Sequence, residues 1–272
     1  MAVPTPGPAA LEIVVPAYNE AERLPAGLAR LCAELAALPC AARVLVVDNA
    51  STDATPEIVR GWDGPVPVRL LSCERRGKGA AVRTGILATR APYVGFCDAD
   101  MATELSALRR VLALLNAGRP VVVGSRRHPE SVVDGYARPL RRLGAVTFNR
   151  LVRDLADGVA DTQCGFKFFA GPLARAAAAD LRTTGFAFDV ELLAHCVRRG
   201  ATVTDIPVVW HDRPGSTFSV RRHSLECLRD LIRIRAELAA LSRRDRVRLP
   251  VPVPVARADG APVPTAPGAG QR

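Results

Sequence analysis

Two carboxylates one residue apart end a short apolar run in Tyr93-Val94-Gly95-Phe96-Cys97-Asp98-Ala99-Asp100. The run follows an Ala-Pro break and reads as a buried strand, so both acids fall where it leaves its sheet. In open α/β sheets, ligands bind in the crevice beyond the carboxyl ends of the strands. Hard oxygen ligands at that point suit Mg²⁺ or Mn²⁺ carrying a phosphorylated substrate. The plainer reading makes both acids caps of the next helix. One cap accounts for one acid, and a second acid two residues on repels the first unless a cation sits between them.

Other polar clusters follow other apolar runs. Pro16-Ala17-Tyr18-Asn19-Glu20 stands at a helix start, where free N–H groups favour anionic or polar ligands. The competing reading is local: Asn19 caps the helix and Glu20 complements its dipole. Asp48 follows a VLVV run and could accept from a base edge or a ribose, or serve a turn alongside Ser51 and Asp53. Arg75-Arg76-Gly77-Lys78-Gly79 is a basic, glycine-rich loop leading into a helix. It lacks the P-loop pattern, which excludes a Walker NTPase, but Lys78 and exposed N–H groups could hold a diphosphate.

These clusters need a frame. Leu11–Val15 reads as a strand ended by Pro16, followed by a helix opened by Asn19-Glu20 and stopped by Pro39. Strands over 43–47, 68–72, 93–97 and 120–124 alternate with helices over 56–62, 80–89 and 104–116. That alternation predicts an α/β domain with a mostly parallel central sheet and helices on both faces, all strand ends on one edge. Residues 125–142 form a basic, irregular stretch, and 143–155 look helical. A turn and strand over 161–169, a helix over 186–199, a strand over 201–210 and a helix over 222–241 complete the domain, spanning 11–241. Residues 1–10 are expected to be disordered, and 242–272 to form a disordered Pro-rich tail.

Composition narrows the function classes. A chain of 272 residues with 49% hydrophobic and 24% charged residues can fill a core. The net charge of +10 fits partners bearing phosphate, whereas 5% aromatics disfavours a stacking-based nucleic-acid binder. Seven scattered cysteines without a CxxC pair indicate neither zinc ribbon nor redox motif, and they fit a reducing, cytoplasmic setting. The first ten residues lack the charge and the apolar run of a signal peptide. No run approaches the roughly 18 to 20 apolar residues of a membrane span.

VVPAYNE, VVDNASTDAT, RGKG, FCDAD, GSR and DTQCGFK occur in the order seen in family 2 glycosyltransferases of the GT-A fold. Within them the chain resembles the dolichyl-phosphate glucose and mannose synthases, over roughly Leu11 to Leu241; DTQCGFK and FAFDVELL are the most specific stretches. The resemblance implies that Pro16, Ala17, Tyr18, Glu20 and Asp48 line the nucleotide, with Lys78 nearby. Asp98, Ala99 and Asp100 would meet the donor, the two aspartates binding the Mg²⁺ or Mn²⁺ that bridges its diphosphate. Arg126 would contact phosphate of donor or acceptor. Asp161, Gln163, Gly165 and Lys167 would floor the acceptor site, with Arg138 beside them, and Asp189 would be the carboxylate nearest the reacting centre. Trp210, Arg213 and Ser216 match a late loop that closes over the donor. Asn49 departs from the acidic or glycine residue common in relatives, Met101 from a polar one, and the C-terminal membrane anchor of some relatives is missing.

The implied activity is inverting, metal-dependent transfer of a hexose from UDP-glucose or GDP-mannose to a polyprenyl phosphate. Such transfer passes through an oxocarbenium-like state while a diphosphate departs. A lipid monophosphate is largely dianionic at neutral pH and needs little general-base help, whereas a hydroxyl acceptor would require Asp161 or Asp189 as base. Transfer to a hydroxyl of a small metabolite or cell-envelope glycan is the alternative. A nucleotidyltransferase ranks lower because its glycine-rich basic loop would follow the first strand, and a non-catalytic nucleic-acid binder would leave the strand-end acids unexplained. The protein is expected in the cytoplasm, either free or peripheral on the inner membrane face. Leu225, Leu228, Leu231, Ile234 and Leu238 line one face of the last helix, which either packs on the core or lies on an anionic membrane.

Overall fold

The computed structural model describes residues 9–135, 152, 154–156, 158–212 and 220–241. Its first half alternates strand and helix: β1 (Leu11–Ala17), α1 (Leu24–Ala36), β2 (Ala42–Asp48), α2 (Thr55–Arg60), β3 (Val68–Ser72), α3 (Lys78–Ala88) and β4 (Tyr93–Cys97). A short 3₁₀ turn, Leu105–Ala107, leads into α4 (Leu108–Asn116), followed by β5 (Val121–Ser125) and β6 (Val132–Asp134). The second half contains β7 (Phe166–Ala170), α5 (Gly171–Asp180), α6 (Phe188–Arg198), β8 (Val203–Pro207), β9 (Val209–His211) and α7 (Val220–Leu241).

The main sheet has the order β3-β2-β1-β4-β7-β5-β8, and β6 pairs with β9 in a small second sheet. Its strands run parallel except β7, which is antiparallel to both β4 and β5. Strand alternation divides the core between two faces. Ile13 and Val15 join Leu24, Leu28, Leu31 and Leu112 on one side. Val14 joins Val82, Ile86, Phe169, Leu173 and Leu193 on the other. Both faces are thus covered by helices, as a parallel sheet requires. Gly95 in β4 lies opposite Phe168 of β7, whose ring occupies the place of a side chain: a Cβ there would stand 2.2 Å from Phe168 Cδ1.

Several elements depart from expectation. Pro16 does not end β1. The β1–β4 ladder stops at Val14↔Phe96, so Pro16 sits where the strand has β2 alone as a neighbour, and a missing donor is tolerated there. Helix α1 starts at Leu24 with Arg23 at its N-cap, and Asn19 is instead a loop residue at φ 52°. The expected strand over 201–210 divides at Val208 between the two sheets. Helix α5, opened by Gly171-Pro172, was not expected at all. Residues 1–8, nearly all of 143–153, and 242–272 lie outside the described residues.

Helix α7 packs on the domain through Leu231 and Ile234, which are buried with Val152, Ala187 and Val190. Leu228 and Ile232 point outward, at 47% and 61% exposed. Among the described residues no helix is long and apolar enough to cross a membrane. A polar clamp adds to the docking. Glu191 of α6, 1% exposed, accepts from the Arg182 and Thr183 amides, from the Thr183 hydroxyl and from Arg233 of α7. Burial alone would raise its pKa; bonds from His195, Thr183 and the two amides outweigh this and lower it to about 2. Its contribution to stability is therefore complete above about pH 4.5 and is lost as pH falls toward 2. A shift of that size corresponds to about 3 kcal/mol. Chemical denaturation between pH 6 and 2 should show that acid loss in the wild type and a flatter profile in Glu191→Gln.

Candidate active site

The loops after β1 and β2 are stitched into one wall. The Asn19 amide donates to Ser51 Oγ, the Glu20 amide to Thr55 Oγ1 and the Ala21 amide to Asp53 Oδ2. Asn19 returns the contact by accepting from the Thr52 amide. Asp48 accepts from the Ser51 amide and is 8% exposed, so its turn role is real, while Tyr18 beside it is 42% exposed. Asn49 ties this wall to the basic loop. Its Nδ2 donates to the carbonyls of Cys73 and Arg75, and its Oδ1 accepts from the Gly77 amide at 2.7 Å. An aspartate could not donate those two bonds, which gives the departure at Asn49 a structural reason.

The basic loop delivers Lys78 to the twin acids. Lys78 Nζ lies 2.5 Å from Asp98 Oδ1 and 5.9 Å from the Phe188 ring centroid. The start of α3 is not open to an anion: the Gly79 and Ala80 amides both donate to the Thr184 carbonyl. Of the two devices expected in this loop, N–H groups and ammonium, the ammonium is the one presented. Burial disfavours the charge on Lys78, but Asp98 and Asp189 outweigh it and hold the ammonium above its usual range.

Asp100 accepts from the Ala102 amide, and burial, with the charge of Asp98, pushes its carboxyl above the usual range. Glu20 is raised chiefly by burial, with further contributions from Asp100 and Asp98, although Arg23 opposes the rise. Three acids therefore share one neighbourhood. Ala99 between the aspartates is buried against α1, where a Cβ on Gly27 would meet its carbonyl at 2.8 Å.

The antiparallel run of β7 brings the DTQCGFK segment to the same place. Cys97 pairs with Phe166, so Gly165 stands immediately beyond the end of β4. A Cβ on Gly165 would lie 2.1 Å from Asp98 Oδ2, and the Asp98 amide donates to the Gly165 carbonyl. Lys167, fully buried, donates to Asp189 Oδ1 at 2.6 Å and to the Cys164 carbonyl, with the Phe96 ring centroid 5.2 Å away. Burial raises the pKa of Asp189, which the charges of Lys167 and Lys78 oppose.

Asp161 is bound twice by the Arg126 guanidinium, at 2.7 and 2.8 Å, and also by the Arg126 amide. Burial would raise its pKa; Arg126 outweighs that and holds it below the usual carboxylate range. Trp210 lies over this guanidinium at 5.5 Å and bridges to Thr103. Gln163 follows, its amide donating to Asp161 and its buried Nε2 without a partner among the described residues. Arg138, Arg213 and Ser216 lie outside the described residues.

The family model for glycosyl transferase family 2 matches residues 12–178, a span containing both stitched loops, the twin acids and the Gly165 segment. The chain belongs to glycosyl transferase family 2. Relatives with most of their length aligned are named dolichyl-phosphate beta-glucosyltransferase. That of Dictyostelium discoideum is 33% identical over 83% of this chain and 73% of its own, and the human one 32% identical over 83% and 74%. The fold recurs in the crystal structure of glucosyl-3-phosphoglycerate synthase from Mycobacterium tuberculosis with bound UDP. The TM-score is 0.59 at 17% identity, over 85% of this chain and 80% of that one. The architecture is GT-A.

One signal in this family 2 enzyme is missed by motif reading. The chain has thirty-five arginines and two lysines, and the two lysines are Lys78 and Lys167. Each is paired with an aspartate in the site, where a compact ammonium fits and a planar guanidinium fork does not. Thr183 and Thr184 lie outside every motif, and Glu191, although inside FAFDVELL, has a role that shows only in its bonds to the backbone of residues 182 and 183. Two substitutions test the geometry. Gly165→Ala drives a methyl into the Asp98 carboxylate and should lower kcat by about 10²-fold with the protein still folded, as a misplacement of about 1 Å can. Lys78→Arg, although it keeps the charge, should fail to restore the activity lost in Lys78→Ala; both are read by steady-state kinetics.

Proposed function

We propose that this enzyme transfers glucose from UDP-glucose to a polyprenyl phosphate, inverting the anomeric centre by single displacement, with Mg²⁺ or Mn²⁺ bound at Asp98 and Asp100. The observation that carries this reading is the convergence of Asp98, Asp100 and Lys78 beyond the end of β4, beside the loops that follow β1 and β2. Such a crevice is where open α/β sheets take nucleotides.

The donor set fits the ion. Burial and mutual repulsion raise the Asp100 carboxyl, a penalty that a divalent cation relieves. Among the described residues no three His, Cys, Asp or Glu side chains converge on one metal. That suits Mg²⁺, which usually takes one or two carboxylates and leaves its other positions to substrate phosphates and water. When bound, the ion would neutralise charge growing on the departing diphosphate.

The chain's own groups supply the rest. Asp48 and Tyr18 face the nucleoside. Lys78 is already protonated and held in place, and donates to the leaving diphosphate, where charge builds as the bond to the sugar breaks. Gln163 Nε2 offers a donor on the acceptor side. Asp161 and Asp189 position the site: one is locked to Arg126 with its pKa lowered, and the other is 2% exposed and bound to Lys167. Asp161, so held, is not free to take a proton from a hydroxyl, and Asp189 is committed through Oδ1 to Lys167. This favours an acceptor that arrives as a phosphate dianion. The names of the relatives support glucose and a lipid phosphate. The outward Leu228 and Ile232 of α7, beside Arg229, give a membrane-borne acceptor a surface to meet.

The test incubates the protein with a panel of UDP- and GDP-sugars, with and without polyprenyl phosphate, in Mg²⁺, Mn²⁺ or chelator. Release of UDP from UDP-glucose that requires both the lipid phosphate and the metal is the expected outcome. Turnover with a sugar hydroxyl acceptor and none with the lipid phosphate would overturn it.

A further inference from the structure

The stretch FAFDVELL holds a second carboxylate, Glu191, that the reaction does not use. Its carboxylate grips the backbone of residues 182 and 183, next to Thr184. Its two oxygens take the Arg182 amide at 2.9 Å and the Thr183 amide at 2.8 Å. The Thr183 hydroxyl also donates to Glu191 and is itself held by Arg233 from α7. His195 lies one helical turn along, its Nε2 3.7 Å from Glu191.

The gripped segment closes around the start of α3. The Thr184 carbonyl accepts from the amides of Gly79 and Ala80, on the two residues that follow Lys78. A Cβ on Gly77 would lie 2.2 Å from the Thr184 carbonyl oxygen, and one on Gly79 would lie 2.5 Å from that of Thr183. Gly77 also has φ 121°, a conformation that glycine adopts without strain. Lys78 therefore stands between two glycines pressed against one short segment, and that segment is fixed by Glu191.

We propose that Glu191 is a positioning residue for Lys78: by clamping residues 182 and 183 it fixes the adjoining Thr184, holds the collar around the start of α3 and so places the Lys78 ammonium on Asp98. The proposal rests on the reading of Lys78 as the group that meets the diphosphate only where it concerns catalysis. The placement itself is independent of the substrate. Arginine cannot stand in for Lys78 within such a collar, and this accords with the chain's near-total preference for arginine elsewhere.

The lysine count makes the test clean. An amine-selective acylating reagent, read by peptide mass spectrometry, has Lys78 and Lys167 as its side-chain targets. Lys167 is fully buried and serves as the internal reference. In wild-type protein both should react slowly. In Glu191→Gln one of the gripped amides faces an NH₂ group instead of an oxygen, so the collar loosens. Labelling of Lys78 should then rise several-fold, as the ammonium is freed from Asp98 and meets the reagent, with Lys167 unchanged. Thr183→Val, which removes the hydroxyl but keeps the backbone bonds, should show a smaller rise in the same residue and covers the case in which Glu191→Gln fails to fold. Unchanged Lys78 labelling in a folded variant would overturn the proposal, as would equal rises at both lysines, which would mark general loosening. Kinetics give the second readout. In a Lys78→Ala background, Glu191→Gln should lower kcat little further, because one residue acts through the other, whereas additive losses would contradict the proposal. Labelling needs no turnover, so a failure of the sugar-transfer reading would leave this result readable.

Discussion

The contact between the Lys78 ammonium and Asp98 is the constraint around which this site is built. It joins a basic loop after β3 to an acidic strand end after β4, and much of the surrounding chain exists to make the two meet. Lys78 and Asp98 are half-buried and the Lys167–Asp189 pair behind them fully so, and buried charges are tolerated only in opposite pairs with further hydrogen bonds. The site accordingly alternates in sign, with Asp98, Lys78, Asp189 and Lys167 within electrostatic reach and Arg126 and Asp161 alongside. Asp100 is the member left with excess negative charge. That imbalance is what the proposed divalent cation would relieve.

The single antiparallel strand explains how two distant sequence segments share one point. In a fully parallel sheet, β7 would present its last residue, Ala170, beside Asp98. Because it runs the other way, its first residues stand there, and Gly165 lets the backbone approach within contact of the carboxylate. The same reversal sends Lys167 into the interior, where it meets Asp189 from α6. The Lys78–Asp98 and Lys167–Asp189 pairs are thus joined through the sheet itself.

Much of this was legible beforehand. Short apolar runs ending in Asp48 and Asp98 located the strand ends, and the fixed order of the motifs pointed to the family and the GT-A sheet. The reversal of β7 was not legible, since strand direction follows from connections and not from composition. Pro16 misled because proline is a strand breaker only where the missing donor is needed. Lys78 was visible, but its manner of presentation was not: whether the amides at the start of α3 are free depends on Thr184, over a hundred residues away. Asn49 stood out only as a departure from the residue common in relatives, yet its amide is consumed in holding the loop that carries Lys78. In α7, the apolar stripe divided in two: Leu231 and Ile234 went to the core and Leu228 to the surface, a difference of less than one helical turn.

Asp98 and Asp100 are proposed to hold a divalent ion that in turn holds the nucleoside diphosphate. Calorimetric titration of UDP into the protein tests it without any acceptor. Binding should require Mn²⁺ or Mg²⁺, disappear in chelator, and weaken at least about tenfold in Asp100→Asn, the loss expected when one charged ligand of a buried cation is removed. UDP binding of equal strength with chelator present and in Asp100→Asn would contradict the claim.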